Sequence, residues 1–409
     1  MNTALTTSLN TALIAASIAL LAGSAGALAG QGHPLRSCPP PVAKPTQTID
    51  LAPGQIQQAP PKVEVVFVLD TTGSMGGLIE SAKNKIWSIA STIAQAQPSP
   101  EIRMGLVAYR DRGDDYVTKR TPMTDDLDTL YSELMSYQAR GGGDGPESVN
   151  QALFEAVERF DWSEGDDVLR IVYLVGDAPP KMNFEDDVKH PATCRFARER
   201  GILINTIQCG SMTGTRDVWQ TIAQNANGAF AAIPQDGGTK AIATPFDEEI
   251  KQLDQELSSL MIDYGDQDMK RYQFAKRMRA GVVAEAASEE AAADRAVYNQ
   301  SHAGRTNLYG RQELVSDVIS GKVSLDEVPN DHLPADLQSK PMEELTVLIA
   351  SNNDRRVTIT ARLGELGLAR REFAEKATPG GRASAFDAQV VEILTEQAAR
   401  IGLTIHQED

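Results

Sequence analysis

Between residues 63 and 238, short apolar runs alternate with segments of helical spacing, and this alternation restricts the fold more than any other feature of the chain. Runs at 63–69, 102–109, 168–176, 202–208 and 229–233 are rich in Val, Ile and Leu and close on or near Gly, Asp or Pro, as buried strands do. Helical spacing lies between and after them, at 78–93, 127–137, 149–160, 184–200 and 218–225. A short polar segment at 116–119 follows the turn "RGDD" and predicts an edge strand. Strand and helix in this order predict an α/β fold, a doubly wound, mainly parallel sheet with helices on both faces.

In such a sheet, ligands bind outside the carboxyl ends of the strands, near the point where strand order reverses. The first run, "VVFVLD", stops there on Asp70 and is followed at once by Thr72 and Ser74. Asp177 closes the run "VYLVGD", and Asp144 lies in the glycine-rich stretch "RGGGDGPES" just before a helix. Each residue alone also reads as a helix cap or a turn. Together they deliver three carboxylates and two hydroxyls to one sheet edge, and such a cluster needs a counterion or a proton. Oxygen donors without sulfur or imidazole select a hard divalent cation, Mg²⁺ or alternatively Mn²⁺ or Ca²⁺, and disfavour zinc.

The stretch Asp70-Thr71-Thr72-Gly73-Ser74 resembles the Asp-x-Ser/Thr-x-Ser signature of von Willebrand factor type A (VWA) domains. That resemblance implies a Rossmann-like fold carrying a metal-ion-dependent adhesion site (MIDAS). Asp70, Thr72 and Ser74 would form its first cluster and Asp177 its late aspartate. The family's usual threonine is absent from the loop before the third helix, and Asp144 is the oxygen donor read into that place. "DTTGSM", "GGGDGPE" and "GDAPP" together are similar to the bacterial exported and alpha-kinase-associated branch of the family. The resemblance implies a protein ligand that offers an acidic group, or an exposed polar loop, to the metal. An extra carboxylate at the ion would weaken capture of an anionic partner.

The flanks set the organisation: a signal peptide at 1–29, a Pro/Gln-rich linker at 30–60, the VWA domain at 61–240 and a helical region at 241–409. The apolar run 12–29 ends on "ALA", a small-residue cleavage pattern that predicts a periplasmic or secreted protein, with an uncleaved membrane anchor as the alternative. In an exported chain Cys194 and Cys209 are a candidate disulfide, two buried free thiols being the alternative. In the helical region, 342–376 is a long charged helix whose alternating signs suggest an exposed or coiled-coil face, and 386–401 is a last amphipathic helix. A helical stalk or packing module is the expectation for this half.

A formal charge of −17 over 409 residues argues against nucleic acid as a partner. There is no Gly-Lys-Ser/Thr loop and no Gly-x-Gly-x-x-Gly pattern, so no small-molecule cofactor is expected. The helical half is shorter than a kinase domain and lacks its phosphate-binding motifs. The expectation is therefore a binding module rather than an enzyme, with a metal-stabilised scaffold or a kinase-associated regulatory domain as alternatives.

Overall fold

The computed structural model describes residues 59–143, 145–238, 242–377 and 386–405. The expected signal segment, the linker up to residue 58, Cys38 and Asp144 lie outside the described residues. Six strands form one sheet: β1 (Lys62–Asp70), β2 (Glu101–Tyr109), β3 (Thr118–Thr124), β4 (Val168–Gly176), β5 (Ile202–Cys209) and β6 (Phe230–Ile233). Their order is β3-β2-β1-β4-β5-β6. All pairings are parallel except β2 with β3. β1 lies between β2 and β4, so the order reverses at β1 and opens a crevice at its carboxyl end.

Both faces of the sheet are buried, which is why β1 reads as a continuous apolar run. Val65, Phe67 and Leu69 enter one core, and Val66 and Val68 enter the other. α1 (Gly76–Ala94) and α2 (Leu127–Ser136) cover the first face. α3 (Val149–Glu158), α4 (His190–Glu199) and α5 (Thr215–Asn225) cover the second. Two expected boundaries shift. The edge strand runs over Thr118–Thr124 and contains Pro122, which an edge position tolerates because no ladder donor is lost on the open side. α4 starts only at His190, where Pro191 occupies the first turn, so residues 184–189 form a loop instead of a helix.

The remaining helices are α6 (Asp247–Ser259), α7 (Gln267–Ala286), α8 (Glu289–Gln300), α9 (Arg305–Tyr309), α10 (Leu314–Ile319), α11 (Met342–Ala377) and α12 (Phe386–Ala398). α6, α8 and α11 share a core built from Ile250, Leu257, Ala296, Ile359 and Leu363. α8 also packs on α1, with Tyr298 5.7 Å from Trp87 between ring centroids. α12 returns to the sheet itself. Phe386, Val390, Ile393 and Leu394 join the same core as Phe67 and Tyr173. The Tyr173 hydroxyl donates to the Val390 carbonyl at 3.0 Å, and the amides of Asn205 and Gln397 bond reciprocally at 3.0 and 2.7 Å. The helical half is thus a detour between β6 and the helix that closes the sheet's first face. From residue 58 onward the chain is one compact unit.

The expected disulfide does not form: Cys194 and Cys209 are both free and buried. Cys209 ends β5 on the face it shares with Leu203 and Ile207, whereas Cys194, on α4, packs with Ile202 and Ile204 on the opposite face. The sheet stands between the two sulfurs, and a bridge needs α-carbons within about 7 Å and converging side chains. After denaturation without reductant, mass spectrometry is expected to find a thiol label on both cysteines. A Cys194–Cys209 peptide pair linked by sulfur would overturn this assignment.

Candidate metal centre

The loop after β1 is fixed by its own hydrogen bonds. The Thr72 backbone N–H and hydroxyl both donate to Asp70 Oδ1, at 2.8 and 2.7 Å. Thr72 Oγ1 lies 3.5 Å from Ser74 Oγ. Thr71 points the other way, its hydroxyl donating to the Tyr109 carbonyl at the end of β2 at 2.9 Å. A short 3₁₀ turn, Gly73–Met75, then leads directly into α1. Asp70 is fully buried and Thr72 nearly so, while Ser74 is exposed at the rim.

The loop before α3 is stapled onto this one. Gly73 N–H donates to the Gly141 carbonyl at 3.1 Å, and Arg140 N–H donates to the Thr71 carbonyl at 3.1 Å. Gly142 has φ +73°, and a Cβ placed there would lie 3.1 Å from Thr72 Cβ and 3.2 Å from Glu147 Oε1. The left-handed conformation and the crowding both call for glycine. Glu147 is locked in turn to the loop after β4: its N–H donates to the Pro179 carbonyl at 3.0 Å, and Lys181 N–H donates to the Glu147 carbonyl at 2.8 Å.

Asp177 is held from the far side. Gln235 Nε2 donates to Asp177 Oδ2 at 2.8 Å and lies 3.4 Å from the Ser74 carbonyl, so it joins two loops of the site. The Thr215 hydroxyl donates to the Asp177 carbonyl at 2.9 Å. Gly176 precedes Asp177 because a Cβ there would sit 2.4 Å from the Tyr109 hydroxyl and 3.0 Å from Asp70 Oδ2. Asp70, Thr72, Ser74 and Asp177 are therefore brought to one edge, at the crevice beside β1. Asp144 lies outside the described residues.

Sequence reasoning passed over Glu147, which is 4% exposed. Its signal was present in "GPES", an acidic residue directly before a helix that follows a glycine run, but Asp144 stood closer to the glycines. Two oxygens of the cluster, Asp70 Oδ2 and Glu147 Oε2, are buried without a hydrogen-bond partner. Burial, opposed by the Thr72 hydrogen bonds and reinforced by Asp177, pushes the Asp70 carboxyl up to about 7. Burial, then the nearby Asp70, Asp111, Asp114 and Asp177, pushes Glu147 up to about 9. Unpaired buried carboxylate oxygens are costly, and a divalent cation in place of the protons would satisfy them. Among the described residues no three His, Cys, Asp or Glu side chains form a cage by themselves. An ion here would need the Thr72 and Ser74 hydroxyls, and water, beside Asp70, Glu147 and Asp177.

The tripeptide Arg112-Gly113-Asp114 braces the same site. Arg112 donates to Asp186 at 2.9 Å and to Asp187 at 2.6 Å. Asp114 Oδ2 accepts from the backbone N–H groups of Gly142, at 3.0 Å, and Asp111, at 3.2 Å. Both charged ends of the tripeptide are engaged inside the protein.

Residues 64–245 match the family model of the von Willebrand factor A domain. Similar curated proteins include an ariadne-like RING finger protein of Acanthamoeba polyphaga mimivirus, 30% identical over 149 residues, or 35% of this chain and 13% of that one. Another is the von Willebrand factor A domain-containing protein 7 of Rattus norvegicus, 34% identical over 124 residues, or 30% of this chain and 13% of that one. The chain thus spans only 13% of the length of either relative. Among solved structures, the VWA domain of SpRpn10 aligns at TM-score 0.33 and 14% identity, covering 43% of this chain and 89% of that one. Proximal thread matrix protein 1 of the mussel byssus aligns at TM-score 0.34 and 15% identity, covering 43% of each chain.

Proposed function

From the premise that residues 64–245 are a von Willebrand factor A domain, we propose that the chain is a metal-dependent protein-binding module. A divalent cation, Mg²⁺ or alternatively Mn²⁺ or Ca²⁺, would be held at the carboxyl edge of the sheet by Asp70, Thr72, Ser74, Glu147 and Asp177. Domains of this class commonly bind proteins, and many do so through such an ion. The observation that carries the reading is the pair of buried carboxylate oxygens without partners, Asp70 Oδ2 and Glu147 Oε2, beside two hydroxyls. When bound, the ion would neutralise the carboxylates and offer an open position to an oxygen of the partner. The chain's own residues set that position: Gln235 orients Asp177, Thr72 orients Asp70, and the glycine loop carries Glu147.

Binding rather than catalysis is part of the proposal, since the helical half is spent on its own core and on covering the sheet. Export is part of it too, on the strength of the apolar run ending at "ALA". Among the described residues no helix is long and apolar enough to cross a membrane.

The site's ligands come from three loops, so only the folded sheet assembles them. A cation at a hundredfold excess over its dissociation constant is expected to stabilise the fold by about 2.7 kcal/mol. Thermal melts with Mg²⁺, Mn²⁺ or Ca²⁺ should show that rise in the parent and lose it in Asp70→Ala. Equal rises in both proteins would place the ion elsewhere. Capture of a protein partner that chelator abolishes separates a binding module from a metal-stabilised scaffold, whose capture would ignore chelator.

A further inference from the structure

Glu147 carries an inference that rests on the metal-binding reading above and deepens it. We infer that Glu147 is a direct ligand of the ion, and that the resulting charge makes the site select a neutral oxygen of its partner, an amide, hydroxyl or backbone carbonyl, over a carboxylate.

Three observations point the same way. Glu147 is 4% exposed, and its Oε2 has no partner. A carboxylate is not buried unpaired without a reason. Its backbone is tied on both sides to the loop that carries Asp177, through Pro179 and Lys181. Its Oε1 and Thr72 Cβ also flank Gly142, 3.2 and 3.1 Å from where a Cβ would stand there. Glu147 is thus held between the two loops that supply the other ligands, by elements that do not depend on an ion. The other acidic groups nearby are already engaged. Asp111 accepts from Ser148 at 3.1 Å and pairs with Lys181, and Asp114 accepts from two backbone N–H groups.

The charge count follows from these residues. Asp70, Glu147 and Asp177, ionised around a divalent cation, leave a net charge of −1 at the site. A site with a hydroxyl in place of Glu147 would be neutral. A partner carboxylate would then meet like charge in a partly desolvated rim, whereas a neutral oxygen would meet only the ion's field.

The test uses the full chain and Mn²⁺ alone, followed by calorimetry and by the relaxation of Mn²⁺-bound water. Glu147→Gln, which keeps the shape, is expected to weaken Mn²⁺ binding about tenfold or more, since affinity follows ligand charge. Asp144→Asn is expected to change it by less than about threefold. Acetate, the probe carboxylate, should fail to displace the Mn²⁺-bound water in the parent and should displace it in Glu147→Thr. Parent-like Mn²⁺ affinity in a folded Glu147→Gln overturns the ligand assignment while leaving the metal site standing. Acetate displacing water from the parent as readily as from a folded Glu147→Thr overturns the selectivity. A parent that binds no Mn²⁺ removes the metal-binding reading and this inference with it.

Discussion

Ending the chain at residue 377, ahead of α12, is expected to abolish cooperative folding of the α/β domain. The sheet's first face is closed by that helix and the residues after it: Phe386, Val390, Ile393, Leu394, Leu403 and Ile405 are all buried in the core that contains Phe67, Tyr173 and Leu203. Fully burying six such side chains contributes roughly 9–18 kcal/mol before entropy is counted. Typical net stabilities are about 5–15 kcal/mol, so removing this layer takes away as much as the whole margin. The loss is polar as well. Without α12, the Tyr173 hydroxyl loses the Val390 carbonyl and the Asn205 amide loses both bonds to Gln397. The truncated protein should bind a hydrophobic dye, give a broad or absent melting transition and aggregate. Phe386→Ala in the full chain tests the same contact more gently. It should cost about 3–5 kcal/mol in urea denaturation, because Phe386 sits 6.2 Å from the Phe67 ring in a closed cluster. A truncated chain that unfolds cooperatively at the parent's midpoint would show that α12 is an accessory. The boundaries of the matched domain, 64–245, therefore do not delimit a unit expected to fold by itself.

What the sequence revealed and what it hid divide along one line. Periodicity and composition act locally, so the strands and the stop on Asp70 are legible. β1 alternates between two buried cores, and its polar last residue breaks that apolar pattern. Asp70, Thr72, Ser74 and Asp177 follow from the rule about carboxyl ends, which needs only strand order. Pairings across the fold leave no such trace. Cys194 and Cys209 look like neighbours along the chain, yet a strand's side chains alternate, and that alternation puts the sheet between them. The stretch 282–297 is rich in alanine and glutamate, a composition that carries no visible break. The structure divides it at Ser288, whose side chain accepts from the Ala291 N–H and starts α8 anew. α12 reads as an amphipathic helix, but nothing in its own residues says that its apolar stripe lands on β1 and β4. Glu147 was missed for a related reason. Its backbone is fixed by Pro179 and Lys181, more than thirty residues further along the chain.

Arg295→Met is expected to destabilise the protein by about 3–5 kcal/mol, because it leaves a charge buried without its partner. Arg295, on α8, forks onto Asp128 of α2 with bonds of 2.6 and 2.7 Å and reaches Asp254 of α6 at 3.1 Å. Asp128 is 0% exposed, so no water can take the place of the guanidinium. The guanidinium also lies 5.9 Å from the Trp87 ring of α1, so one side chain ties four helices. Arg295→Lys should recover little of the loss, since an ammonium cannot make the paired bonds to Asp128. The informative comparison is the double variant Arg295→Met, Asp128→Leu. Removing both charges replaces that pair by an apolar contact of similar bulk, a change often neutral or stabilising, while Asp254 still loses its arginine, so part of the cost should remain. Urea denaturation of the four proteins in this cycle gives the coupling directly. The double variant should be clearly more stable than Arg295→Met alone. If the two unfold at the same midpoint, the cost lies in lost packing of the arginine against Trp87 and not in the stranded carboxylate. The sign of that coupling also bears on the metal centre. Asp128 is the second residue of α2, and α2 leads into the glycine loop that carries Glu147. Loosening α2 from α8 should therefore weaken Mn²⁺ binding in Arg295→Met, and closing the same gap with Asp128→Leu should restore it.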